Sequence, residues 1–460
     1  MLAVCLLLAA VPGLDLAEFE GSGFTVRDGA ASSEGAARHP ALWHRTFRLP
    51  EGAVYLGFRA RAVAPPEEKA DGRLLAVLEA AAREMLPMQV RAEGRWVGAT
   101  RLRPGEQEYR FVLEGHEGRR VRLAFADLDA RPGCYLVASG LALLSRDEAN
   151  ARELEASLGE AMARARMPRF RRYESRHWLA YGNASLSFVR QRLEECEKMH
   201  AAFFRHFRSK GFELSEPSEK LLAVVCGKQE WFEAVLGARL GPAVTGVYQP
   251  GLNRLVVYDY GTNASFEDAR RSADELLRGA RSDLERHGLS IALGRSLRER
   301  REDVNLGTVM HEASHQLAFT SGLLSRQGDV PAWLAEGMAA YCEAVSGGAW
   351  QGMGGHNPER AAELARAEGK LLAVRDLVSS DDWLRKAGTA REAALGYAQS
   401  WVLFSTLLEE RPRQLKAYLE QIRGRRGPDH RLTDFVEAFG NLKKVEDRHA
   451  ERARSLARRR

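Results

Sequence analysis

The alternation of apolar and polar positions changes character twice along the chain. From about Glu18 to Leu144 it is strand-like. "VYLGFRARA" (Val54–Ala62), "YRFVL" (Tyr109–Leu113) and "VRLAF" (Val121–Phe125) alternate or run apolar, as half-buried strands do. Turns carrying Gly and Pro, "RPGEQE" and "ARPGC", separate them, and "APPEEKADGR" reads as a long loop. The pattern predicts a β-sandwich of about 125 residues, jelly-roll-like. After Leu144, "SRDEANARELEASLGEAMARAR" is rich in Ala, Glu and Arg, which suits a solvent-exposed connecting helix. A mixed region follows, with a helix at Ser187–Ser209 and strands at Lys220–Cys226 and Asn253–Tyr260. "TGVYQPG" reads as the turn into a hairpin before the second of these strands. From about Asp268 to the end the periodicity is mostly helical, with no internal repeat. The expected fold class is α+β.

Within the helical part, "VMHEASHQLAF" (Val309–Phe319) places two histidines four apart with a glutamate after the first. No proline occurs between Asn305 and Leu317. At about 100° per residue, Leu306, Met310, Ala313 and Leu317 fall on one line, and His311 and His315 face roughly the other way. The aliphatic stripe can pack on a core while both imidazoles reach one ion, since four residues advance a helix by about one turn. Glu312 projects beside them and can act on a metal-activated water. With 12 histidines in 460 residues, a chance HExxH is expected on the order of a few per cent of the time. A catalytic zinc needs a third protein ligand and an open fourth position.

"DVPAWLAEGMAAYCEA" (Asp329–Ala344) offers that ligand. Asp329 and Pro331 suit a helix start. Leu334, Met338, Tyr341 and Val345 form an apolar stripe, and Glu336 points away from it among Ala332, Ala339 and Ala340. Small neighbours let another helix approach. Glu343 lies two turns beyond Glu336 on nearly the same face. It is read either as orienting a ligand histidine or as a solvent-facing carboxylate.

Composition narrows the rest. With 45% hydrophobic and 28% charged residues and a formal charge of +6, the chain reads as globular, and its length suggests two or three domains. Its terminal "ERARSLARRR" reads as a solvated helix end rather than a nucleic-acid patch, so no nucleic-acid partner is expected. Five scattered cysteines (Cys5, Cys134, Cys196, Cys226, Cys342) make no CxxC, and no disulfide pairing can be read from them. The apolar run from Leu2 to about Val11 is too short to span a bilayer but suits a signal-peptide core. Export is therefore expected, and an integral membrane protein is not. Trp43 and Trp96 suggest sugar-stacking platforms on the sandwich, hence a glycan ligand there, although core packing is the preferred reading of both.

HExxH followed about twenty residues later by a Trp-Leu-x-Glu-Gly helix resembles the gluzincins, the thermolysin-like clan of zinc metallopeptidases. The run "GTVMHEASHQLAF…GDVPAWLAEGMAAYCE" is most similar to an uncharacterised bacterial family of that clan. The match is specific over about Asn305–Glu343. It extends more loosely over about Pro168–Leu442, through "YESRHWLAYGNAS", "GHNPER" and "YAQSWVLFSTLLEE". The resemblance implies that His311, His315 and Glu336 hold zinc and that Glu312 is the general base. In the thermolysin-like pattern an aspartate stands one turn after the third ligand; here that position is Ala340. A tyrosine or histidine from the C-terminal helices often stabilises the oxyanion in this clan. Tyr397 is the first candidate, although packing is its slightly preferred role. His356 is the second, though a surface-loop histidine is its preferred reading. The strand Asn253–Tyr260 is the expected sheet edge for an extended substrate. The implied layout is a signal segment at 1–17, a sandwich at 18–147 and a gluzincin-like domain at 148–460. The last divides into a mixed sheet (about 168–265), active-site helices (266–350) and a C-terminal helical part (351–460). The implied activity is zinc-dependent hydrolysis of a peptide or protein substrate. The alternatives are a surface-associated carbohydrate- or protein-binding module with a non-catalytic zinc site, and hydrolysis of a non-peptide amide or ester.

Overall fold

The computed structural model describes residues 14, 18–36, 40–50, 52–63, 74–80, 84–92, 95–129, 131 and 133–458. The apolar Leu2–Val11 run, Cys5 and the loop "APPEEKADGR" lie outside the described residues. Two compact units are present, Met1–Ser157 and Leu158–Arg460. Helices and sheets segregate along the chain, a β-sandwich first and a mostly helical part after it, so the fold is α+β.

The first unit contains β1 (Glu20–Ser22), β2 (Thr25–Arg27), β3 (Ala30–Ser32), β4 (Ala41–Arg48), β5 (Tyr55–Val63) and β6 (Leu74–Glu79). β7 (Met88–Ala92), β8 (Arg95–Ala99), β9 (Gly105–Val112), β10 (Arg120–Asp127) and β11 (Tyr135–Leu144) follow. One sheet has the order β1-β4-β10-β6 and the other β2-β3-β11-β5-β9-β7-β8. The period-2 alternation seen in the sequence places Val121, Leu123 and Phe125 of β10 inward. Phe125 meets Phe58 of the opposite sheet edge-to-face at 5.2 Å, which joins the two inner faces.

Both tryptophans are committed to packing. Trp43 is buried and stacks on Phe19 at 4.1 Å. Trp96 is covered by the Arg110 guanidinium 4.2 Å from its ring, and the same cation lies over Tyr55 and pairs with Glu153. The packing reading preferred from the sequence holds for Trp43, and Trp96, covered by Arg110, is likewise not an open stacking face.

The helix α1 (Arg146–Arg164) follows. It is not solvent-exposed all round, because Ala151, Leu154, Leu158 and Ala161 form a buried stripe at helical spacing. The second unit then runs through β12 (Arg171–Glu174), β13 (Trp178–Gly182), α2 (Leu186–Ser209), β14 (Leu221–Cys226), α3 (Gln229–Leu236), β15 (Gly246–Gln249) and β16 (Arg254–Tyr258). These strands form a sheet of order β12-β13-β14-β16-β15. β13, β14 and β16 are parallel and fully buried, which is why they read as apolar runs. The expected edge is therefore corrected. β16 is interior, and the edge beside it is β15, the segment read as a turn, which pairs antiparallel with β16 through a tight Pro250–Leu252 connection; β12 is the other edge.

The helical part comprises α4 (Ala264–Arg278), α5 (Asp283–Thr320), α6 (Ala332–Cys342), the ribbon β17 (Val345–Ser346) and β18 (Ala349–Trp350), then α7 (Pro358–Arg366) and α8 (Val374–Ser379). α9 (Asp382–Arg385), α10 (Ala390–Glu410), α11 (Pro412–Arg423), α12 (Arg431–Phe439) and α13 (Leu442–Ala457) end the chain. Among the described residues no helix is long and apolar enough to cross a membrane. The four cysteines described, Cys134, Cys196, Cys226 and Cys342, are buried and form no disulfide among the described residues.

At 11 residues α6 is too short to be stable alone. It is held by burial of Trp333, Leu334 and Met338, each about 1.5–3 kcal/mol. Its N-cap is Pro331, and the first amide, Ala332 N–H, donates to Asp381 at 2.8 Å. Asp329 is not the cap: it pairs with the buried Arg431, which also binds Asp381. α6 ends at Cys342, so Val345 belongs to β17 and not to the helical stripe. Gly337 explains the glycine of the Trp-Leu-x-Glu-Gly run. A Cβ there would lie 2.3 Å from the Ser400 carbonyl oxygen, so α10 crosses α6 almost in backbone contact.

Candidate metal centre

Leu306, Met310, Ala313 and Leu317 are all buried, as the α5 stripe predicted, and this fixes the rotation of the helix. His311 and His315 consequently emerge on the opposite side, where α6 delivers Glu336. The two Nε2 atoms lie 3.1 Å apart, and the Glu336 carboxylate is 3.1 Å from His311 Nε2 and 3.4 Å from His315 Nε2. Bonds of about 2.0–2.1 Å around a tetrahedral ion imply donor separations of about 3.3 Å. The three donors fit one such ion. Among the described residues this is the one group of three His, Cys, Asp or Glu side chains whose ligand atoms all lie within 4.8 Å of one another.

Glu312 is buried beside these donors but outside the set. The Tyr248 backbone of β15 lies near enough to favour its ionised form. The edge strand and α5 are in close contact: a Cβ on Gly246 would sit 2.5 Å from Thr308 and 2.9 Å from Glu312 Cγ. The Thr245 and Thr308 hydroxyls meet at 2.6 Å. Tyr248 also lays its ring nearly parallel to His315, centroids 6.5 Å apart.

Glu343 is buried and contacts His311, so it is not a solvent-facing carboxylate. Its Oε2 meets His311 Nδ1 at 2.5 Å, leaving Nε2 directed at the cluster. Its Oε1 accepts from Asn357 Nδ2 at 3.0 Å and Arg360 Nε at 2.9 Å. Tyr397 stands over the site, with its ring centroid 6.4 Å from that of His311 and Arg360 5.2 Å from its ring. His356 is not a surface-loop histidine. Both ring nitrogens are buried and it packs edge-on against Trp401, one turn beyond Tyr397.

The electrostatics follow from dense charge in a dry site. Burial raises the Glu312 carboxyl above its ordinary range, against the lowering influence of His311 and His315. Burial also opposes ionisation of Glu336, but the two imidazoles hold it well below the usual carboxylate range. Glu343 likewise resists the effect of burial, and Arg360 and His311 bring it to about 2. For His311 burial acts downward, yet the Glu343 charge and the hydrogen bonds it donates to Glu336 and Glu343 carry it well above normal. Burial and the charge of Glu336 push the Tyr397 phenol far up, so it remains a proton-bearing donor.

Asn357, Arg360, Tyr248 and Gly246 were not assigned roles from the sequence. The "GHNPER" run carried a signal for the first two: an Asn-Pro helix start, here the N-cap of α7 with Asn357 Oδ1 accepting from Arg360 N–H.

Residues 305–428 match the family described as "Protein of unknown function (DUF1570)". No curated protein matches the chain. A conserved protein of unknown function from Bacillus anthracis str. Ames is similar at 9% identity and TM-score 0.31, with 90% of this chain and 78% of that one covered. The IMPa metallopeptidase from Pseudomonas aeruginosa is similar at 9% identity and TM-score 0.19, over 97% of this chain and 52% of the other. This chain thus spans about half the length of that metallopeptidase. A structure described as "CBM4 structure and function" is similar at 14% identity and TM-score 0.16, over 28% of this chain and 78% of that one.

Proposed function

We propose that this protein is a zinc-dependent peptidase. The observation that carries the proposal is the convergence of His311, His315 and Glu336 at 3.1–3.4 Å beside a buried carboxylate, Glu312, that is not one of the three. Structural zinc is closed by four protein ligands, often cysteines, and needs no adjacent base.

When bound there, zinc would act as a Lewis acid and lower the pKa of water from 15.7 toward about 7. The residues supply the rest. Glu312, with its proton affinity raised by burial, takes a proton from the attacking water and passes it to the leaving amine. Tyr397 donates its phenolic proton in a hydrogen bond to the developing oxyanion. The free edge of β15 aligns an extended peptide by main-chain hydrogen bonds beside Glu312. Export, expected from the Leu2–Val11 run, belongs to the same proposal.

The test is to compare wild type with Glu312→Gln for zinc content and cleavage of a mixed peptide library. Zinc retained with cleavage abolished is the expected result. If wild type cleaves nothing and Glu312→Gln changes nothing, the peptidase reading is wrong and a non-catalytic binding module replaces it.

A further inference from the structure

One cation touches both halves of the site. Arg360, on α7, donates from Nε to Glu343 Oε1 at 2.9 Å, and its guanidinium lies 5.2 Å from the centre of the Tyr397 ring. Its side chain is only 14% exposed, and Glu343 is 10% exposed. The start of α7 is itself tied to α6, because Asn357 Nδ2 donates to both Glu343 Oε1 and the Ala340 carbonyl. Glu343 passes this constraint on through Oε2 to His311 Nδ1 at 2.5 Å.

We propose that Arg360 is a positioning residue that sets the orientation of His311 through Glu343 and the placement of the Tyr397 phenol directly. A carboxylate on Nδ1 keeps the ring proton there and leaves the Nε2 lone pair for a metal, so holding Glu343 still fixes both tautomer and ring plane. Glu343 lies three residues beyond Ala340, where the resemblance called for an acidic residue. Asn357 and Arg360 from α7 hold it from the side away from His311. Arg360 does this with a flat delocalised cation that also covers an aromatic face, a double contact that an ammonium group cannot reproduce. The Tyr397 half of this inference rests on the peptidase reading; the His311 half does not.

The experiment uses the full chain, stripped of metal and reloaded, as wild type, Arg360→Met and Arg360→Lys. Zinc affinity is read by competition with a chromogenic chelator, ligand geometry by the visible spectrum of the cobalt(II) form, and catalysis by kcat and KM on a peptide library. Arg360→Met should bind zinc about 10–100-fold more weakly, the usual cost of losing an outer partner of a ligand histidine, and its cobalt spectrum should change. Arg360→Lys should recover most of the zinc affinity, because Glu343 regains a cation, while kcat stays low with KM little changed. Wild-type zinc affinity and cobalt spectrum in Arg360→Met would overturn the proposal. If the Met variant fails to fold, the Lys variant decides: a wild-type kcat and cobalt spectrum overturns the proposal, and a lowered kcat supports it. Should wild type bind zinc but cleave nothing, the peptidase reading fails, while the zinc and cobalt measurements still decide the role of Arg360 at His311.

Discussion

Replacing Gly246 by Ala adds one methyl at the seam between the edge strand and the HExxH helix. That carbon would lie 2.5 Å from Thr308 Cγ2, 2.9 Å from Glu312 Cγ and 3.2 Å from Val257 Cγ1. Carbon atoms pack comfortably at about 3.5–4.0 Å, so relief requires a shift of about 1 Å. None of the three neighbours can give way easily. Thr308 is tied to Thr245 at 2.6 Å, Val257 lies in the interior strand β16, and Glu312 is buried. The strand and the helix must therefore move apart, which costs about 1–3 kcal/mol as overpacking. On the proposed peptidase mechanism, a displacement of about 1 Å at Glu312 costs on the order of 100-fold in turnover. Thermal unfolding and peptide cleavage would be followed for Gly246→Ala beside Gly241→Ala, whose added carbon meets nothing within 4 Å. We expect a Tm several degrees lower and kcat down about 100-fold for the first variant, and wild-type values for the second. A Gly246→Ala protein with wild-type Tm and turnover would refute the close seating of the strand on Glu312.

Three further outcomes are expected. Tyr397→Phe should leave zinc binding intact and lower kcat about 100–1,000-fold, as for loss of one oxyanion donor; unchanged kcat would return Tyr397 to packing alone. Arg431→Met should destabilise the fold by about 3 kcal/mol in denaturant titration, because it leaves Asp329 and Asp381 facing each other without their buried partner. His449 is buried against Gln399 and burial lowers its pKa to about 4, against about 6.5 in the unfolded chain. The folded state thus binds fewer protons, and the stability His449 contributes above pH 6.5 is lost as pH falls toward 4, by about 3 kcal/mol in full. His449→Gln should flatten that part of the stability–pH curve, and an unaltered slope would show that the imidazole protonates freely in the fold.

What could be read from the chain follows from which interactions are local. The rotation of α5 was legible because Leu306, Met310, Ala313 and Leu317 record it on their own helix, and the placement of His311 and His315 follows from it. The β10 strand was legible for the same reason at period 2. The sheet edge was not, because β15 is four residues long, begins with Gly246, is followed by Pro250 and carries the punctuation of a turn. Strand order depends on partners distant in sequence. Asp329 and Pro331 marked the start of α6, but the helix's first amide is bonded by Asp381 from 49 residues away, a contact that local sequence does not record. Arg360 and Asn357 acquire a role only once α7 folds back against Glu343, and nothing in their local spacing records that contact.

X-ray absorption at the zinc edge of the reconstituted protein bears most directly on the central claim. One zinc per chain should show about four nitrogen and oxygen neighbours near 2.0–2.1 Å, with imidazole scattering from two rings and no sulfur; the signal should weaken and lose stoichiometry in Glu336→Ala. A sulfur shell, a third imidazole, or a spectrum and stoichiometry untouched by Glu336→Ala would contradict the proposed centre.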